Sequence, residues 1–355
     1  VAVSLTLRRY VMRLYLSAVA LSALAVLLIF LVIDFGDRLK VYVGHRISEV
    51  LELYCLKTCV TFAQLMPLAL LLAAGLTLTV LERRGELRAM RALGISPKAI
   101  VASLLLCAMP LGVGMVAFDE WVAAPAGARV DRLMIERFGI WGDARYYYGT
   151  QQWLRLGADV FRLTGSGVTV FHVTPDFSLE RRIDAQSMRA LDSGAFELQG
   201  VTERDYAPGA PHQRTADRDA VRFAGADAQA FAIHAGRPEQ MSSPELLEQI
   251  SLRSRAGLPT ARHRLAQHGR FTYPLLGAVG ALLAASLALR PKRTAALTSA
   301  LVEGLGVSAA MWSLLVMGRA LALSERLPAA AAAYGPLVLL AAAGLMLLNR
   351  ADRAS

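Results

Sequence analysis

Residues Leu14–Ile33 read LYLSAVALSALAVLLIFLVI, twenty residues without a charged side chain. At about 1.5 Å per residue, a helix of that length spans roughly 30 Å, the thickness of a bilayer's hydrocarbon core. Outward from it, five more apolar runs follow: Thr58–Leu81, Ala99–Phe118, Phe271–Leu289, Thr294–Gly318 (interrupted by Glu303) and Leu327–Asn349. Three spans, a polar insert from Asp119 to Arg270 and three further spans describe a multi-pass membrane protein with one large water-exposed domain. The first run is longer than the core of a typical signal peptide, and no A-x-A-like cleavage site follows it, so it reads as a retained span.

The charge distribution sets the expected orientation. Arg8, Arg9, Arg13, Arg83, Arg84, Arg88, Arg91, Lys98, Arg290, Lys292, Arg293, Arg350 and Arg353 fall on one side, with Glu82, Glu86 and Asp352 as the only acids there. That surplus equals the +10 charge of the whole chain, and the insert is balanced at 19 basic and 19 acidic residues. The excess therefore reads as membrane topology and not as a nucleic-acid footprint. Both termini are expected in the cytoplasm and the insert outside it. Cys55, Cys59 and Cys107 lie in or beside spans, and the insert has no cysteine; small apolar packing is their expected role.

Within the insert, Gln152–Arg155, Asp159–Leu163, Gly167–Val173, Arg182–Ala190 and Ala195–Gln199 are short runs rich in β-branched and aromatic residues. Thr164-Gly165-Ser166-Gly167 and Thr174-Pro175-Asp176 punctuate them. This spacing predicts an antiparallel sandwich or jelly roll, whose exposed edge can accept a partner's strand. Ser243-Pro244-Glu245 predicts a helix start. In the fifth span, Ala300, Gly304 and Ser308 share one face at close-packing spacing. Glu303, an ionisable group inside that span, either lines a hydrated cavity or pairs with a neighbouring helix.

Between the second and third spans, Glu82 to Pro97 reads ERRGELRAMRALGISP. It predicts a short surface helix ended by Gly94, followed by a Ser96 cap and Pro97 at the first position of the next helix. Leu87, Met90 and Leu93 or Gly94 recur at helical spacing, and Glu82 and Glu86 align one turn apart. Such a segment is either a basic interfacial loop or a docking helix for a groove on a cytoplasmic partner.

The pattern E-L-x-A-x-R-A-x-G-I-S resembles the coupling helix of the lipopolysaccharide-export permease family, the LptF/LptG type. Further matches follow in order: Phe118-Asp119-Glu120-Trp121-Val122-Ala123-Ala124-Pro125 at the exit of the third span, then Gln152-Trp153-Leu154-Arg155 and Val160-Phe161-Arg162-Leu163. Ala185, Phe196-Glu197-Leu198 and Gly269-Arg270-Phe271-Thr272-Tyr273-Pro274 complete the series. Val32-Ile33-Asp34-Phe35 through Arg38-Leu39-Lys40 is more similar to the G-type than to the F-type subunit.

The resemblance implies a membrane α-helical bundle of six transmembrane helices with an inserted periplasmic antiparallel β jelly-roll domain. The expected domains are 1–124 with a coupling helix at 82–94, 125–262, and 263–355. It implies a permease subunit of an ABC transporter that extracts lipopolysaccharide from the inner membrane and passes it to a periplasmic bridge protein. The implied partners are a cytoplasmic ATPase dimer, a paralogous F-type permease, a single-span jelly-roll subunit and that bridge protein. The ATPase-coupling residues would be Glu82, Glu86, Leu87, Met90, Arg91 and Gly94. The lipid-binding set would be Arg38, Lys40, Arg270 and Glu303, for which Arg38 and Lys40 have headgroup snorkelling as the bland alternative. No cofactor or metal is implied.

Two other classes compete. A different lipid- or lipoprotein-handling ABC permease shares the ingredients, but its usual four-span layout fits six spans poorly. An intramembrane enzyme needs a nucleophile or metal set. The sequence has no H-E-x-x-H, G-x-S-x-G or G-x-x-x-x-G-K-[ST], and His263 and His268 are spaced off a single helical face. ATP hydrolysis would therefore belong to a separate subunit.

Overall fold

The computed structural model describes residues 5–138, 151–156, 159–164, 167–174, 178–190, 196–206, 213–221, 237–255, 259–289 and 297–353. The sequence-predicted punctuation Gly165, Ser166, Pro175 and Asp176, residue Ala195 and the basic residues Arg290, Lys292 and Arg293 lie outside them. The chain divides into two compact units: Val1–Leu133 with Arg264–Ser355, and Met134–His263.

The first unit is helical. Its long elements are α1 (Leu5–Tyr42), α2 (Ile47–Arg83), α4 (Pro97–Phe118), α7 (Ala261–Ala288), α8 (Leu297–Leu323) and α9 (Ala329–Arg353), with the short α3 (Glu86–Ala92) between α2 and α4. A π-helical turn, Asp119–Ala123, carries α4 into α5 (Ala124–Glu136). Six helices are thus long and apolar enough to cross a membrane, one for each apolar run of the sequence. At about 1.5 Å per residue, the 38 residues of α1 extend further than a hydrocarbon core is thick. Its charged ends therefore have room to lie outside.

α2 is the centre of this unit. From Thr58 to Leu81 it is apolar on all sides, as a helix enclosed by others is, and Ala69 to Ala74, Leu78 and Leu81 are buried. Inside lipid, helix association depends on close approach rather than on escape from water. A Cβ added at Gly277 of α7 would lie 2.7 Å from Leu70 Cδ1 and 2.9 Å from the Pro67 Cα of α2. One added at Gly304 of α8 would lie 2.7 Å from Leu72 Cδ2, so the Ala300–Gly304 face packs on α2. By contrast, α1 and α8 leave Leu24, Ile29, Val32, Val302, Leu305 and Val316 exposed.

Among the described residues, the second unit contains one antiparallel sheet: β1 (Gln151–Leu156), β2 (Asp159–Thr164), β3 (Gly167–Val173), β4 (Leu179–Ala185), β5 (Ser187–Ala190), β6 (Phe196–Asp205) and β7 (Gln213–Val221). The order is β1-β2-β3-β4-β6, with β5 and β7 also paired to β6. Phe161, Val170 and Ile183 stand side by side across β2, β3 and β4, and with Phe196, Leu198 and Val201 they form the buried face. The opposite face is more polar, with Val160 and Phe171 as apolar members. On it, Asp184 accepts from Thr169 (2.9 Å) and pairs with Arg182 (2.9 Å) and Arg204 (3.5 Å). This is the alternation expected of a sheet with one wet side.

Five of the predicted runs fall on strands, the fourth of them divided into β4 and β5. β7, QRTADRDAV, has too few apolar residues to announce itself. The helix α6 (Ser243–Arg255) is capped one residue earlier than expected. Ser242 Oγ accepts from the Glu245 amide (3.4 Å) while the Ser242 amide donates to Glu245 Oε2 (2.7 Å), a reciprocal capping box.

Candidate functional site

The segment between α2 and α4 is built by two glycines. Gly85 (φ 75°) turns the chain out of α2 into α3, and Gly94 (φ 77°) ends α3, each in the left-handed region that favours glycine. Ser96 Oγ then accepts from the Ala99 amide (3.3 Å) and Pro97 opens α4. The apolar face of α3 is turned inward: Leu87 and Met90 belong to the unit's own core. Arg91 Nη2 donates to the Leu289 carbonyl just past α7 (3.0 Å), which ties the segment to the bundle. Glu82 accepts from Arg88 (2.9 Å), and Glu86 accepts from the Tyr10 hydroxyl of α1 (3.1 Å), with Arg84 3.9 Å away. The outward face carries the exposed Arg83, Arg84, Arg88, Ala89, Ala92, Leu93 and Gly94, and Glu86 is half-buried. A partner docking on this segment would meet that basic, partly apolar face.

Two clusters of opposite charge join pairs of helices. In the first, Asp34 near the end of α1 accepts from Lys57 and from the Tyr54 hydroxyl (2.9 Å) of α2, and from Arg38 Nε one turn on (3.2 Å). Phe35 stacks on Tyr42 and both meet Tyr54 edge to face, with ring centroids 5.5–5.8 Å apart. Arg38 is half-buried and Lys40 exposed. In the second, Arg270 of α7 pairs with Glu120 and lies 3.9 Å from Asp119, both in the π-helical turn. A buried guanidinium enclosed by this chain's own carboxylates is a helix-to-helix clamp, so Arg270 differs in setting from Arg38 and Lys40. Glu303 is half-buried on α8, beside the Gly304–Leu72 contact. Leu72 lies 15 residues along α2 from Lys57, roughly 22 Å. The four residues expected to bind lipid therefore occupy three places, not one.

A cleft of about 350 Å³ opens between α2, α7 and α8. Leu65, Leu68, Leu71, Leu276, Leu305, Met311, Trp312 and Leu315 line it, with Gln64, Tyr273 and Ser308 as its polar members. The Tyr273 hydroxyl donates to the Gln64 carbonyl (2.6 Å), which fixes one wall. Such a lining suits an apolar chain.

Compared with models of known protein families, the chain matches "Lipopolysaccharide export system permease LptF/LptG" over residues 9–350. It belongs to the LptF/LptG family. A comparison with individually curated proteins returned no match. The family match covers all six apolar helices, the α2–α4 segment and the sheet, so each of the places described above lies inside the LptF/LptG region. A multi-pass membrane protein of the permease class follows. The sequence reading did not pick out Lys57, Tyr54, Asp119 or Glu120 as partners in these clusters. The signal was present, because each charged residue among them stands at the very edge of an apolar run, with an opposite charge at the edge of another.

Proposed function

We propose that this LptF/LptG chain is a permease subunit of an ABC transporter that lifts lipopolysaccharide out of the inner membrane and hands it to a periplasmic bridge protein. The observation that carries the reading is the family match over residues 9–350 of a chain with six apolar helices and one folded insert. A separate cytoplasmic ATPase dimer supplies the energy, and a paralogous F-type permease completes the lipid cavity. The stretch from Val32 to Lys40 favours the G-type role for this chain. Both termini lie in the cytoplasm and the sheet unit in the periplasm, in agreement with the basic residues on the side of α3. There the sheet belongs to a jelly roll that receives lipid next to the single-span partner.

In this mechanism ATP closes the ATPase dimer, and the α2–α4 segment moves with the groove that holds its outward face. Leu87 and Met90, packed in the core, and Arg91, bonded beyond α7, pass that movement to the bundle. Glu86 faces a basic residue of the ATPase, and Gly94 sets the turn. A charge-assisted hydrogen bond at such a joint contributes about 1.5–3 kcal/mol. Arg38 and Lys40 at the outer end of α1 take lipid phosphates, and the α2–α7–α8 cleft accepts acyl chain. The test is ATP-dependent transfer of lipopolysaccharide from proteoliposomes to a soluble bridge protein. Transfer that needs this chain, its paralogue and the ATPase together supports the reading. Transfer that proceeds equally without this chain removes it.

A further inference from the structure

The cluster between α1 and α2 carries more positive than negative charge: Lys57 and Arg38 surround the single carboxylate of Asp34. One carboxylate can compensate one cation, and burial decides which. Lys57 and Asp34 are in direct contact and each only 15 % exposed, whereas Arg38 is 39 % exposed. Buried pairs are screened far less than exposed ones, so the Asp34 charge is matched by Lys57 and Arg38 keeps its own. Asp34 nevertheless holds Arg38 in place, through Nε alone. The two terminal guanidinium nitrogens have no partner among the described residues. They are the pair that a phosphate accepts from side by side. Tyr54 fixes the other Asp34 oxygen, and the Phe35, Tyr42 and Tyr54 rings fix the two helices against each other.

We infer that Asp34 and Lys57 are positioning residues for Arg38: Asp34 aims the guanidinium, and Lys57 cancels the carboxylate so that a lipid phosphate meets a full positive charge. This rests on the reading of Arg38 as a lipid contact. Without Lys57, Asp34 would neutralise Arg38 and repel the phosphate. Lys57 thus acts on lipid affinity while bound to a carboxylate and not to the lipid. The arrangement also explains how an acidic residue stands in the middle of a site for an anion.

The experiment is equilibrium binding of lipopolysaccharide, and of the same lipid stripped of its phosphates, to the full-length chain in its complex in phosphatidylcholine nanodiscs. Arg38→Gln is the reference and should weaken binding of the phosphorylated lipid about tenfold, leaving the stripped lipid unchanged. Lys57→Met should produce a loss of the same order, shrinking as salt is raised. Lys57→Met combined with Asp34→Asn should restore binding to within about threefold of wild type, since Asn still accepts from Arg38 Nε without a charge. The double variant also keeps the test open if Lys57→Met alone fails to fold. No effect of Arg38→Gln overturns the lipid-contact reading itself. A loss with Arg38→Gln, but none with Lys57→Met, overturns only the charge-compensation role. So does a double variant as weak as Arg38→Gln, which would make the pair a helix staple or Lys57 a direct contact.

Discussion

Replacing Arg270 by Met should be among the most damaging single changes in the helical unit. The guanidinium is 4 % exposed and sits between Glu120 and Asp119, whose side chains are 20 % and 31 % exposed. Removing it takes away the cation that these two neighbouring carboxylates share. Breaking a buried pair from one side costs about 3–5 kcal/mol. The partial exposure of both acids places the expected loss near the lower limit, about 3 kcal/mol. Glu120→Gln is milder, about 1–2 kcal/mol, because the amide oxygen still accepts from Arg270 and Asp119 still compensates it. Changing both, Arg270→Met with Glu120→Leu, should recover part of the loss, since an apolar pair can replace a buried ion pair at little cost. The assay is thermal unfolding of the purified chain in detergent, with Glu120→Leu also measured alone so that it, Arg270→Met and their double variant close a double-mutant cycle. The predicted order of Tm is wild type, Glu120→Gln, double variant, then Arg270→Met, with non-additivity above about 0.5 kcal/mol. An unchanged Tm for Arg270→Met, or simple additivity, would refute the clamp.

Other expectations concern packing and coupling. Gly277→Val should sharply lower the yield of folded protein, because its Cβ meets Pro67 backbone at 2.9 Å; Gly306→Val, with nothing within 4 Å, should not, as size-exclusion profiles would show. Leu87→Ala should lower Tm through a core cavity worth about 2–5 kcal/mol. Leu93→Ala, at a position 73 % exposed, should leave Tm unchanged and weaken recovery of the ATPase. If both behave alike, the inward and outward faces of α3 have been misassigned. Glu86→Ala should also weaken ATPase recovery while the chain still inserts and its outer unit folds; unchanged co-purification and transport would take Glu86 out of the joint.

Much of the fold was legible because its strongest signals are long and one-dimensional. A charge-free run of twenty residues has few readings other than a span, and each run became one helix. The runs that became β1 to β6 were visible, with β4 and β5 read as one, because short β-branched and aromatic stretches are punctuated by glycine and proline. β7 was hidden because an exposed strand needs no apolar side chains, and Gln213 to Val221 has mostly charged and small ones. The capping signals of α3 and α4 were readable, since Gly94, Ser96 and Pro97 act locally. The direction in which Leu87 and Met90 point was not, because helical spacing shows that a face is apolar and not what covers it. Tertiary pairing was the least legible level. Asp34 with Lys57, and Arg270 with Glu120, are 23 and 150 residues apart, and only the helix arrangement brings them together.

The central claim is that this chain works as one permease within a lipopolysaccharide-exporting assembly. The most direct measurement is its purification from native membranes, with mass spectrometry of the proteins and lipids that come with it. The account predicts an ATPase, a homologous six-span partner and lipopolysaccharide in one complex. Recovery of the chain alone, or with another lipid and no ATPase, would contradict it.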